Sequence, residues 1–205
     1  MEVEGVKLFE DLESGERGRL EAALLLLLRH FNEGKDVSKY WHKLLTEVLC
    51  RDGPGPAHPY IRRLSYRLVL ASTLMEDHWD RMVDVFMRDA LSDEMEVRVC
   101  ALRALACPPE QHRRAWCTLL QTLAPAIRDS SRYDLVPLRV AIVDLMRTYV
   151  TFVTRNAGHQ QNDVVSSQGI LSSELQQSLT SLTETAVDIL CDRTLDGNDS
   201  VAHAA

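Results

Sequence analysis

Apolar residues along this chain recur at helical spacing almost from end to end. Leu20, Ala23, Leu24, Leu27, Leu28 and Phe31 mark one face of a helix predicted over 16–32, and Asn32, Glu33 and Gly34 close it. A second helix is predicted over 38–51, with Ser38 as its cap. The stretch from Asp52 to Pro59, DGPGPAHP, breaks the pattern, because proline lacks a donor and glycine lacks a preferred conformation. Helices over 60–74, 77–90 and 94–107 follow. Pro108 and Pro109 stop the last of these and open a helix over 109–128. A further helix is predicted over 136–155. Residues 156–171 are polar and contain glycine, which predicts a loop longer than most connections. The pattern then predicts a terminal helix over 172–193 and a disordered tail over 194–205. No period-two strand stands between Pro59 and Val150. The expected fold class is all-α.

The pattern also repeats. Trp41, Trp79 and Trp116 lie 38 and 37 residues apart. Trp41 is followed by Leu44, Leu45, Val48 and Leu49, Trp79 by Met82, Val83, Phe86 and Met87, and Trp116 by Leu119, Leu120, Leu123 and Ala124. Each set is one stripe of a helix, so the tryptophans are expected in the core. The following helices share an apolar residue before an arginine: Ile61-Arg62, Val97-Arg98 and Leu138-Arg139. Leu64, Cys100 and Ala141, then Leu68, Ala104 and Leu145, continue in the same register. Asp93 and Asp134 stand four residues before Val97 and Leu138, whereas Ala57 stands before Ile61.

A two-helix unit of this length, with small residues inside and an Asp…Val-Arg corner, resembles a HEAT repeat. The nearest match to that pattern is the run from Asp93 through Val97-Arg98 and Ala101 to Ala104-Leu105. The resemblance covers pairs near 38–74, 77–107 and 109–155. The helix 16–32 reads as the second half of a preceding pair, and 172–193 as the first half of a following one that packs on the rest. The resemblance implies a right-handed α-solenoid of about four HEAT- or armadillo-like pairs over 1–155. One pair cannot bury both its faces, so stacking supplies the core. It also implies that Asp93, Arg62, Arg98 and Arg139 form structural corners, with Asp93 capping its helix and Arg98 bridging to a neighbouring unit.

Composition narrows the function classes. The chain has 205 residues, 45% hydrophobic and 26% charged, which excludes a disordered or disulfide-stapled miniprotein. Its net charge of −7 repels polyanions at long range. The cations are 19 Arg and only 4 Lys, a bias toward forked pairing with carboxylates. Five irregularly spaced cysteines read as free thiols in a reducing compartment. Cys107, His112 and Cys117 lack the paired spacing of a zinc site, so no metal is expected. The acidic start has no apolar core with a cleavage site, and the longest apolar run, Ala22 to Leu28, is too short to span a bilayer. No membrane insertion and an intracellular location, cytoplasmic or nuclear, are expected. No metalloprotease motif, nucleophile elbow or phosphate loop occurs, so no catalytic residue, cofactor or small-molecule substrate is expected.

That leaves binding. The resemblance places second helices on a concave face, where Arg67, Arg103 and Asp144 each stand five residues past the apolar-Arg corner. Arg63 and Arg67 form a like-charged i,i+4 pair that a partner's carboxylate or phosphate would relieve. Arg63, Arg67, Arg103 and Asp144 are therefore the candidate partner-binding residues. The expected function is a non-enzymatic protein-binding scaffold or adaptor, a section or subunit of a larger solenoid complex. A nucleic-acid-binding repeat protein using the arginine-lined face is the alternative, and the net charge disfavours it.

Overall fold

The leucine stripes bury as their spacing requires. Leu20, Ala23, Leu24, Leu27 and Leu28 are all enclosed, and so are Leu44, Leu45, Val48 and Leu49. A computed structural model describes residues 2–51, 53, 55–72, 74–131, 135–160, 184 and 186–189 of the chain. Every regular element among the described residues is helical, so the protein is all-α. None of these helices is long and apolar enough to cross a membrane.

The elements are α1 (Glu2–Glu13), α2 (Arg17–Asn32), a composite α3, α4 (Pro59–Ala71), α5 (Leu74–Asp89), α6 (Met95–Leu105), α7 (Arg113–Ser131) and α8 (Val136–Gln160). Helix α3 runs from a 3-10 turn, Ser38–Tyr40, through one α-turn, Trp41–Lys43, into a π-helical stretch, Leu44–Leu49. Its wide register shows in the bond from the Cys50 amide to the Leu45 carbonyl, 2.8 Å. Helix α4 starts where Pro59 occupies its first turn and His58 Nδ1 accepts from the Tyr60 amide at 3.2 Å. The backbone of α5 kinks at His78, so its regular part begins at Trp79.

Three elements depart from the pattern read along the chain. Helix α1 lies where no helix is predicted. It is short and acidic, yet Leu8 and Leu12, one turn apart, are buried. Helix α7 contains Pro125 and continues to Ser131. A 3-10 turn, Glu110–His112, replaces the first turn expected after Pro109. Helix α8 continues to Gln160, past Arg155, because nothing in 156–160 denies the backbone a donor. Most of the expected 156–171 loop and 172–193 helix, and the whole 194–205 tail, lie outside the described residues. Of the terminal helix, Glu184 and residues 186–189 are described as helical, with Ala186 and Ile189 buried.

The chain divides into two compact units, Met1–Ala104 and Leu105–Ala205. In the first, α1 packs on α2 and α3, α2 packs on α4, and α5 packs on α3 and α4. Arg63 on α4 also forms an ion pair with Glu96 on α6. Besides the contacts between consecutive helices, α1 packs on α3, α3 on α5 and α2 on α4, so the odd helices form one row and the even helices another. The second unit is built on α7 against α8. There the Trp116 indole donates to the Leu105 carbonyl at 2.8 Å and the Thr148 hydroxyl to the Ala106 carbonyl at 3.1 Å. The Trp116 and Tyr149 rings lie 6.2 Å apart.

Turns in the first unit press together as closely as its helices. Gly15, at φ +68°, adopts a conformation that favours glycine, and it faces the Arg51 guanidinium. Arg51 also donates to the Glu13 carbonyl at 2.9 Å. Gly55 sits so close to this turn that an added Cβ would lie 2.0 Å from the Gly15 carbonyl oxygen. No rotamer change relieves a backbone overlap, so Gly55→Ala should destabilise the protein by about 1–3 kcal/mol. Gly18→Ala meets nothing within 4 Å and should leave stability unchanged or slightly raised. Urea unfolding of the two variants checks both expectations.

Candidate functional site

One charged cluster is enclosed in the first unit. Arg62 stands fourth in α4 and is 3% exposed; Asp89 ends α5 and is 6% exposed; Tyr66, one turn beyond Arg62, is fully buried. The Arg62 guanidinium donates to the Leu49 carbonyl at 2.5 Å and lies 3.8 Å from the Asp89 carboxylate. The Tyr66 hydroxyl donates to the same carboxylate oxygen at 3.0 Å, and Arg88 reaches the other at 3.3 Å. Three helices therefore meet on two side-chain charges: the end of α3 through its carbonyl, α4 through Arg62 and Tyr66, and α5 through Asp89. A buried charge persists only when paired and hydrogen-bonded, and each charge here has both.

Electrostatics follows from this enclosure. Burial pushes the Arg62 guanidinium down from its ordinary value, and the Asp89 carboxylate opposes that shift. Burial, then the charge and hydrogen bond of Asp89, push the Tyr66 phenol well above 10.0. Beside the cluster, Cys50 donates to the Arg81 carbonyl at 3.8 Å; burial raises its thiol, although Arg62, Arg88 and Arg81 pull the other way. Burial also raises Cys100 and Cys107, and it takes Cys117 to about 12. Burial thus favours the thiol form at each of these sulfurs. Among the described residues no three His, Cys, Asp or Glu side chains converge on a metal-sized site.

The apolar-Arg corner has a common geometry at its first two occurrences. Arg62 donates to a carbonyl at the end of α3, and Arg98 donates to the Ser92 carbonyl just past α5, at 2.9 and 2.7 Å. Each guanidinium thus serves carbonyls left at or beyond the end of the preceding helix. Arg139, the third, is half-buried on α8, and Asp134 lies outside the described residues. Asp93 is exposed, and the Ser92 hydroxyl is what accepts the Glu94 amide at the start of α6, at 3.2 Å. Trp79 and Trp116 are buried, with Trp79 6.0 Å from the Phe86 ring; Trp41, ahead of the π stretch, is half-buried.

Residues singled out for partner binding fall in different settings. Arg63 is engaged by Glu96 across α4 and α6. Arg67 and Arg103 are exposed, and among the described residues neither joins a carboxylate. Asp144 belongs to the second unit, half-buried on α8 with its carbonyl accepting from Thr148 at 3.0 Å. Asp89 and Tyr66 are absent from the residues that spacing singled out. A signal was present for Asp89: it follows Met82 and Phe86 by seven and three residues, so an acid stands on the apolar stripe of α5.

No protein-family model matches the chain, and comparison with curated proteins and with solved structures finds no significant match.

Arg62→Ala strands the Asp89 carboxylate and the Leu49 carbonyl, and should cost about 3–5 kcal/mol in chemical denaturation. Stability should also fall as pH rises above about 10, because an unfolded tyrosine then ionises while Tyr66 in the folded protein keeps its proton. Tyr66→Phe should remove that part of the decline, measured by urea unfolding at about pH 9 and about pH 11.

Proposed function

We propose that this chain is a right-handed α-solenoid of HEAT or armadillo type, with about four helix pairs. It acts inside the cell, in cytoplasm or nucleus, as a non-enzymatic protein-binding scaffold or adaptor and a section or subunit of a larger complex. The observation that supports this reading is the neighbour pattern of the first unit, in which α1 packs on α2 and α3 on α4, while α1 also packs on α3, α3 on α5 and α2 on α4. Stacked helix pairs produce that pattern, because each pair buries its faces only against the pair before and after it. Helix α1 also supplies α2 with a partner, so α1–α2, α3–α4, α5–α6 and α7–α8 make the expected number of pairs.

The use of the charges supports function as a binding surface. The Arg62–Asp89–Tyr66 cluster is enclosed, and its buried charges are occupied by other parts of the fold. The exposed arginines of α4 and α6 stand on rigid helices, a setting suited to holding a partner rather than to moving protons.

Affinity capture of the tagged chain at physiological salt, with and without nuclease, tests this. The expected result is one protein recovered in near-stoichiometric amount and indifferent to nuclease. Recovery of nuclease-sensitive material alone would replace the reading with a nucleic-acid-binding one. Recovery of chaperones alone would contradict both.

A further inference from the structure

The first unit sorts its charges by row. Helices α1, α3 and α5 carry five, one and five carboxylates against one, two and two Lys or Arg. Helices α2, α4 and α6 carry one, none and one carboxylate against three, three and two Arg. The odd row thus has a surplus of six negative charges and the even row a surplus of six positive ones. A net charge of −7 for the chain conceals a cationic row.

Most of those cations are already spoken for. Arg62 is buried on Leu49 and Asp89, Arg63 meets Glu96, Arg19 meets Asp11 at 2.7 Å, and Arg29 meets Glu33 at 2.8 Å. Arg98 donates to the Ser92 carbonyl. Three remain: Arg17 at the start of α2, and Arg67 and Arg103 on the outward stripes of α4 and α6. One turn beyond Arg67 the same stripe presents Leu70, 39% exposed, and α2 in the same row presents Leu25, 44% exposed. The even row thus exposes forked cations and leucines on the same set of helices.

We infer that this even-row face docks an acidic amphipathic segment of a partner protein, its carboxylates on Arg67 and Arg103 and its apolar side chains on Leu70 and Leu25. The inference rests on the scaffold reading and deepens it by naming the partner's chemistry. Charge complementarity selects the occupant. A guanidinium fork matches a carboxylate in two hydrogen bonds, and an exposed leucine beside it rewards an apolar neighbour. A nucleic-acid backbone fits less well. It needs a track of cations, whereas Glu96 stands in the same stripe as Arg103 and the remaining field of the chain repels a polyanion.

Backbone amide chemical-shift mapping tests this with a short helical peptide of glutamate and leucine, added in large excess to the full chain. Expected shifts centre on Arg67, Leu70 and Arg103, and binding weakens about tenfold in the double variant Arg67→Glu/Arg103→Glu. A glutamine-for-glutamate peptide should lose the same shifts, and an unchanged thermal melt shows that the double variant is folded. Shifts centred elsewhere, no shifts at all, or a single-stranded thymidine oligomer moving the same amides more strongly than the peptide would overturn the inference. Lysate capture separates this failure from failure of the scaffold reading. A nuclease-resistant partner held equally by wild type and the double variant leaves the scaffold standing and removes this face from it. No such partner for wild type removes the scaffold itself.

Discussion

The enclosed Arg62 guanidinium is the constraint on which the first unit depends. Its charge sits where water does not reach, so it must be answered by the Leu49 carbonyl and the Asp89 carboxylate together. Each of those groups lies at the end of a different helix. The cluster therefore fixes where α3 stops, where α5 stops, and how α4 lies against both. Leucine packing supplies most of the burial, but it is tolerant of sliding; a guanidinium that must reach two helix ends at once is not. Tyr66 completes the arrangement by donating a hydrogen bond to Asp89 from the helix that carries Arg62.

The charges of the first unit are unevenly shared among its helices. Carboxylates gather on α1 and α5 and arginines on α2, α4 and α6, while α3 carries one carboxylate and two lysines. Ion pairs join neighbouring helices of the unit, Arg19 of α2 with Asp11 of α1 and Lys43 of α3 with Glu13 of α1. Solvent-exposed pairs of this kind contribute little stability. The uneven sharing matters instead for what can approach each helix, since an arginine-bearing helix attracts carboxylates even on a chain of net charge −7.

Much of the architecture was legible in the sequence because it is carried by periodicity. The Trp41, Trp79 and Trp116 frames and the Leu20–Leu28 stripe lie on helices, and the apolar-Arg corner recurs with a common capping geometry at Arg62 and Arg98. What spacing did not reveal depends on contacts between distant residues. Helix α1 is short and acidic, and Leu8 and Leu12 count as core only once α2 is beside them. Asp93 matches a capping pattern, yet the neighbouring Ser92 hydroxyl takes the bond, since either side chain suits that turn. Arg63 looked available because its partner Glu96 lies 33 residues away. Asp89 was readable as an acid on an apolar stripe, but its partner could be named only after α4 and α5 were placed.

The most direct measurement of this account is a double-mutant cycle on Arg62 and Asp89, using Arg62→Met and Asp89→Leu alone and together. If the two charges hold the helices as one centre, the double variant will be less destabilised than the sum of the single ones, by about 1.5 kcal/mol or more. Costs that add to within about 0.5 kcal/mol would mean that each residue acts alone and that leucine packing, not the buried guanidinium, sets the positions of α3, α4 and α5.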